Sequence, residues 1–116
     1  MSIQPVSNVL LDHNEEIEKS PFKIDQYCLK KSTLILRALS HKLRQQIIKL
    51  IYEHGTLTVT EIYVKLRLVQ SVASQHLAIL RKASIVSIHR DGKFIHYSIN
   101  TQRLSEIEEF AKNIAG

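Results

Sequence analysis

The feature that most narrows the fold is a change of hydrophobic period near residue 85. Upstream, apolar residues recur every three or four positions; residues 85–90 and 93–99 are instead β-branched and aromatic runs. Between them stands Asp91-Gly92, a pair well suited to a two-residue hairpin turn. With those two residues as the turn, Arg90 would face Lys93, His89 would face Phe94 and Ile88 would face Ile95. A helical chain that makes one hairpin and then returns to helix has few architectures open to it.

The helices can be read from their stripes. Pro21 opens the first helical region, where Ile24, Cys28, Ile35, Ala38 and Leu39 share a face up to about residue 39. Ser40 is the expected cap of a second helix carrying Leu43, Ile47, Leu50 and Ile51, and His54-Gly55 is its expected stop. Thr58-Val59-Thr60-Glu61 reads as a capping box for a short third helix striped by Val59, Ile62 and Leu66. After a tight connection at Arg67-Leu68-Val69, a fourth helix covers about residues 70–83. In it Ala73, Leu77 and Leu80 point inward, and Ser71, Ser74, Gln75, Ala78 and Lys82 lie opposite. A last helix from about Thr101 carries Leu104, Ile107, Ala111 and Ile114 on one side. Residues 1–20 show no steady period and are expected to form a flexible N-terminal arm, ahead of one domain over residues 21–116.

Two short helices joined by a tight turn, the second with a small polar outer face, describe a helix-turn-helix. Ser and Gln let a helix approach the major groove closely and can bond base edges and phosphates. A hairpin tipped by Arg90-Asp91-Gly92-Lys93 is then a wing, whose two cations reach backbone or minor groove beside that helix. Charge agrees with this. Residues 21–100 hold thirteen Lys/Arg against four Asp/Glu, a net of +9, while residues 1–20 carry −3 and residues 101–116 carry −1. A basic middle suits a polyanionic partner. The fold class expected is mainly α with a small β-hairpin (α+β), a winged helix-turn-helix in the order helix, helix, helix, helix, strand, strand, helix.

Over about residues 32–100 the sequence resembles the ArsR/SmtB family of bacterial winged-helix repressors. Ala38-Leu39-Ser40-His41-Lys42-Leu43-Arg44 is similar to the opening of that family's second helix. The fourteen residues from Leu68-Val69-Gln70-Ser71 to Leu80-Arg81 resemble its recognition helix, with an S-x-x-S-x-x-L core at Ser71, Ser74 and Leu77. Arg90-Asp91-Gly92-Lys93 and His96-Tyr97-Ser98-Ile99 resemble the wing and its return strand. The resemblance implies that Gln70, Ser71, Ser74, Gln75 and His76 face the groove, that Arg90 and Lys93 are wing contacts, and that Arg44 is a phosphate contact or a bridge between helices. His76 has a second reading, as a half-buried spacer beside Val72 and Ile79. Three positions depart from the family's pattern. Arg67 and Ser84 stand where Gly is usual, and Val69, which cannot cap, stands where Ser often does. A lost cap costs about 0.5–2 kcal/mol unless Gln70 or Ser71 takes over and the helix starts late.

The family's metal ligands are missing. The segment matching its third-helix site, Leu57-Thr58-Val59-Thr60, has no thiolate, and the last helix has no His. Glu106, Glu108 and Glu109 alone form a weak, hard-cation set that reads as solvated surface. The six histidines are scattered: His13 in the arm, His41 and His54 at the ends of the second helix, His76 on the fourth, and His89 and His96 in the wing, unpaired in the register above. The single cysteine, Cys28, excludes an internal disulfide, and its spacing from Ile24 and Ile35 reads as packing rather than sensing. No metal and no other cofactor is expected.

The resemblance implies a homodimer, formed through Ile24, Cys28 and Ile35 on the first helix and Leu104, Ile107, Ala111 and Ile114 on the last. Its recognition helices would enter successive major grooves of a near-palindromic double-stranded operator. Val9-Leu10-Leu11 runs at once into Asp12, His13, Asn14, Glu15 and Glu16, so neither a signal peptide nor a membrane span is expected, and the default compartment is the cytoplasm. The chain has no Gly-rich phosphate loop, no nucleophile–base arrangement and no metal tetrad, so an enzyme is not expected. A winged-helix module that binds protein rather than DNA is the alternative left open.

Overall fold

The computed structural model describes residues 23–116. The expected arm, the 20/21 boundary, Pro21 as helix opener and His13 lie outside the described residues. Five helices and three strands follow in order: α1 (Gln26–Ser40), α2 (Lys42–His54), β1 (Leu57–Thr58), α3 (Val59–Lys65), α4 (Gln70–Lys82), β2 (Val86–Asp91), β3 (Phe94–Ile99) and α5 (Thr101–Ala115). The chain divides into two compact units between Thr33 and Leu34.

In the first unit, α1 opens at Asp25, whose Oδ1 accepts the Cys28 backbone N–H at 3.0 Å. That bond satisfies one of the free amides of a first helical turn and holds the Asp25 carboxyl below its usual range. Cys28 is exposed rather than packed. Asp25 pushes its thiol up, first through a hydrogen bond and then through its charge, which lowers the thiolate fraction that reactivity needs.

The second unit is built on a core of Ile47, Ile51, Leu57, Ile62, Leu77, Leu80 and Ile85, all essentially inaccessible. These residues come from α2, β1, α3, α4 and the approach to β2, so each element contributes its stripe. Each such side chain gains about 1.5–3 kcal/mol from leaving water. α2 begins one residue later than the Ser40 cap would have it. Ser40 Oγ donates back to Leu36 O at 2.8 Å, so α1 runs through it. His41 is the extended N-cap instead, and its Nδ1 accepts the Leu43 N–H at 3.2 Å. α2 stops at Gly55, as expected, with φ +84.

Two neighbouring turns are Schellman motifs. At the end of α3, Arg67 N donates to Val64 O and Leu68 N to Tyr63 O; at the end of α4, Ser84 N donates to Arg81 O and Ile85 N to Leu80 O. The motif places its second-last donor in the left-handed region, where glycine is the unstrained choice. Arg67 (φ 55) and Ser84 (φ 61) occupy it here. These are the two positions where the sequence departs from glycine.

β1 was not anticipated, since two residues are too few to display a period. Leu57 pairs with Tyr97 and Thr58 with His96, making an antiparallel sheet of order β1-β3-β2. The hairpin register also differs from the expected one. Asp91 pairs with Phe94, Arg90 with Ile95, His89 with His96 and Ile88 with Tyr97. The loop is therefore Gly92-Lys93, not Asp91-Gly92. Gly92 alone in the hairpin has positive φ (62), and a turn that asks for positive φ only at its first central residue puts its glycine there. The side chains keep their faces, because partners move by two positions, but every cross-strand neighbour changes.

Arg44 joins three helices within the second unit. Only 8% exposed, it donates from Nε to Ala38 O at 2.7 Å, from Nη2 to Arg37 O at 3.2 Å and from Nη1 to His76 Nδ1 at 3.2 Å. A guanidinium has no acceptor, so the last bond requires an unprotonated Nδ1 on His76. The His41 ring lies against His76, with centroids 4.8 Å apart. Burial, then the charges of His41 and Arg44, hold the His76 pKa below its ordinary value of 6.5.

Two predictions follow from these local geometries. Replacing Arg67 or Ser84 with Gly removes a left-handed penalty of about 1–2 kcal/mol, partly offset by backbone entropy. Each variant should therefore raise the unfolding free energy by roughly 1 kcal/mol in a urea titration; a loss of stability would contradict the strain assigned here. The second concerns pH. Because the folded His76 pKa is depressed, the unfolded chain binds the extra proton first, and stability is lost as pH falls below about 6.5. Between about pH 7.5 and pH 5.5, the native chain should lose more stability than His76→Gln, which keeps an acceptor for Arg44 but does not titrate. Equal losses in the two proteins would show that His76 is not the group responsible.

Candidate nucleic-acid interface

α4 is held by one face and free on the other. Ala73, Leu77 and Leu80 are buried, whereas Gln70, Ser71, Ser74 and Gln75 are exposed. The helical repeat alone separates these sets: positions 73, 77 and 80 face the core, and 71, 74, 75 and 78 face away. The N-terminus of α4 is bare. Val69 is its N-cap and gives no side-chain hydrogen bond; neither Gln70 nor Ser71 substitutes, and the helix starts at Gln70 without delay. Val69 O accepts the N–H groups of Val72 and Ala73, so the amides of the first two helical residues remain free at the positive end of the helix dipole. An uncapped end of this kind suits an anionic oxygen.

α3 sets the angle at which α4 is presented. Thr58 Oγ1 accepts the Glu61 N–H at 3.3 Å while Glu61 Oε1 accepts the Thr58 N–H at 3.1 Å and the Thr58 hydroxyl at 3.0 Å, which is the expected capping box. The Thr58 hydrogen bonds hold the Glu61 carboxyl below the usual range, helped by Lys65 and His96. The Schellman turn at Arg67 then leads directly into α4.

The other predicted contact residues divide. Arg90 and Lys93 are exposed on the wing, with Lys93 Nζ 5.6 Å from the centroid of the exposed Phe94 ring. His76 and Arg44 are not on this surface. His76 is half-buried and turned to Arg44, and Arg44 is buried with its donors on protein acceptors. Of the two roles open to each, their surroundings support the bridge for Arg44 and the spacer for His76. Sequence reasoning missed the flank of α4: Arg81 and Tyr97 border, with Ser74, Ala78 and Lys82, a shallow hollow beside the helix. The signal was present in the 74/78/82 spacing, but Tyr97 reaches it only through the strand pairing.

The residues expected at a dimer interface are also placed unevenly. In the first unit, Ile24 precedes α1 instead of lying on it, because the helix opens only at the Asp25 cap, and both Ile24 and Cys28 are exposed. In the second, Ile107 is 7% exposed and belongs to the core, Ile35 and Leu104 pack against it half-buried, Ala111 is half-buried and Ile114 is 72% exposed. Among the described residues, no group of three or more His, Cys, Asp or Glu side chains is arranged to hold a metal ion, and no helix is long and apolar enough to cross a membrane.

The model of the family described as "Bacterial regulatory protein, arsR family" matches residues 41–87, from the N-cap of α2 into β2. The chain is 35% identical over 85 residues to the transcriptional repressor PagR of Bacillus anthracis, covering 73% of this chain and 85% of PagR. The crystal structure of PagR matches with a TM-score of 0.59 at 32% identity, covering 74% of this chain and 99% of that one. The transcriptional repressor SdpR of Bacillus subtilis is 35% identical over 72 residues, 62% of this chain and 79% of SdpR. HlyU of Vibrio cholerae, a transcriptional activator, is 29% identical over 79 residues, 68% of this chain and 72% of HlyU. Its structure matches with a TM-score of 0.59 at 27% identity, covering 79% and 100%. On this likeness, and with this fold, the chain belongs to the arsR family of bacterial regulatory proteins, winged-helix DNA-binding regulators of transcription and not enzymes.

Proposed function

We propose that the protein is a sequence-specific, homodimeric repressor that binds a near-palindromic operator in the cytoplasm and lacks the family's usual third-helix and last-helix metal sites. One observation carries the reading: α4 exposes Gln70, Ser71, Ser74 and Gln75 while its opposite face is fixed in the core. A helix locked in this way can present short polar groups to base edges without first becoming ordered. Ser74 and Gln75 read bases, and Gln70 and Ser71 sit where the free amides meet a phosphate. Arg90 and Lys93 hold backbone on either side of the wing tip. Arg44 and His76 position α4 from behind and touch no DNA. Repression is favoured by the likeness to PagR and SdpR, both of which are named as repressors.

Exposed apolar groups support self-association. Ile24, Tyr27 and Leu29 are exposed in the first unit, and Phe110 and Ile114 on α5 in the second. Twofold pairing through the first and last helices covers such groups and sets two copies of α4 roughly 34–36 Å apart, one helical turn of duplex.

Binding to duplexes selected from a random pool tests the division of roles. Lys93→Ala should weaken binding to all sequences and lower the slope of log affinity against log salt by about one unit. Ser74→Ala should leave that slope unchanged and reduce the preference for the selected site by on the order of 1 kcal/mol. If no consensus emerges from the selection, the sequence-specific reading fails. The oligomer has its own test: Ile114→Glu should shift sedimentation toward monomer and weaken binding to a palindromic duplex by at least about tenfold, through loss of the second contact. An unchanged sedimentation coefficient would remove α5 from the interface.

A further inference from the structure

Five histidines lie among the described residues, and three have a ring nitrogen engaged. His41 Nδ1 accepts the Leu43 N–H, His54 Nδ1 meets Leu50 O at 2.9 Å, and His76 Nδ1 is held by Arg44. His89 and His96 have no such bond within the described residues, and they are the two that the true register sets directly opposite each other on β2 and β3. Cross-strand partners have Cβ atoms about 4.5–5.5 Å apart on the same face of the sheet. Two imidazoles starting from that separation can bring a nitrogen each to within about 2.0–2.1 Å of a common centre, the distance of a zinc–imidazole bond.

The neighbourhood suits a cation. Strand alternation puts Ser87, Asp91, Phe94 and Ser98 on the same face as the two histidines, and Val86, Ile88, Tyr97 and Ile99 on the other. Val86 is buried, while Tyr97 and Ile99 pack on the core, so the histidine face is the outer one. On the far side of His96 its other strand partner is Thr58, which is tied to the Glu61 carboxylate through the capping box. Glu61 and Asp91 therefore place negative charge on either flank of the pair. Glu61 Oε1 is committed to Thr58, which leaves the carboxylate as a source of field more than a ligand.

We propose that His89 and His96 form a two-imidazole chelate for a late first-row divalent cation of the zinc, nickel or copper kind, with water completing the coordination. Neutral imidazole prefers these ions to magnesium or calcium. Once one ring has bound, the second acts at the high effective concentration set by the strand pairing, so the pair binds far more tightly than either ring alone. The site staples β2 to β3 just below the wing tip that carries Arg90 and Lys93. It stands apart from the third-helix and last-helix positions that lack ligands.

The test uses the whole chain, stripped with a chelator and titrated with zinc chloride, with histidine ring resonances followed by long-range proton–nitrogen NMR. The rings of His89 and His96 should shift together and saturate, while those of His41, His54 and His76 stay in place. His89→Gln and His96→Gln should each weaken zinc binding by at least about tenfold, since even an outer-shell partner is commonly worth about 10–100-fold. His13→Gln should change nothing. The proposal is overturned if either ring is unmoved at about 1 mM zinc, a concentration that half-fills even a site of about 1 mM Kd, or if either wing variant binds zinc as tightly as the native chain. The readout involves no DNA, so it stands or falls independently of the repressor reading.

Discussion

The arrangement of α4 depends on a buried guanidinium. Arg44 leaves α2, closes the carbonyl end of α1 at Arg37 and Ala38, and reaches His76 on α4. The last carbonyls of a helix have no partner within it, and burying them unpaired would cost on the order of 1–3 kcal/mol each. One cation meets that need and at the same time fixes α4 from behind. The arrangement also explains why His76 must be neutral: its Nδ1 faces a donor-only group, in a place where burial already opposes charge. Of the two roles open to Arg44, the bridge between helices is the one these hydrogen bonds support.

The two Schellman turns that bound α4 set its direction as Arg44 sets its depth. Their hydrogen bonds are complete, and the strain of φ near +60 at Arg67 and Ser84 is borne because those bonds and the buried Leu80 and Ile85 over-determine the backbone. Arg67 gains something in exchange. It adds a cation to the turn that leads into the recognition helix, within the basic stretch of the chain, where glycine would add none.

Most of this was legible in the sequence, for a common reason. The helices, the Thr58/Glu61 capping box, the Gly55 stop and the inward set Ala73, Leu77 and Leu80 are all local in origin, written within a turn or two of chain. What escaped needed a comparison across distance or between close competitors. Ser40 and His41 both offer an N-cap, and only the back-bond from Ser40 to Leu36 decides between them. Asp91-Gly92 and Gly92-Lys93 both satisfy the hairpin pattern, and the difference lies in which loop position requires positive φ. β1 exists because Tyr97 and His96 have a free edge, a property of β3 and not of Leu57-Thr58. The sequence leaves two roles open to Arg44 and to His76, because charge and position on a helix do not reveal what the side chain meets.

The register shift shows how far such a small ambiguity can reach. Moving the loop by one residue leaves the inward and outward faces of the hairpin as they were, so the core is indifferent to it, and Val86 and Ile99 are satisfied either way. The outer face is not indifferent. In one register His89 opposes Phe94, and the histidines are scattered; in the other it opposes His96, and two histidines become cross-strand partners on one face. Chemistry on the wing is therefore decided by the backbone freedom of Gly92, three residues away from His89, through a constraint that no property of either histidine contains.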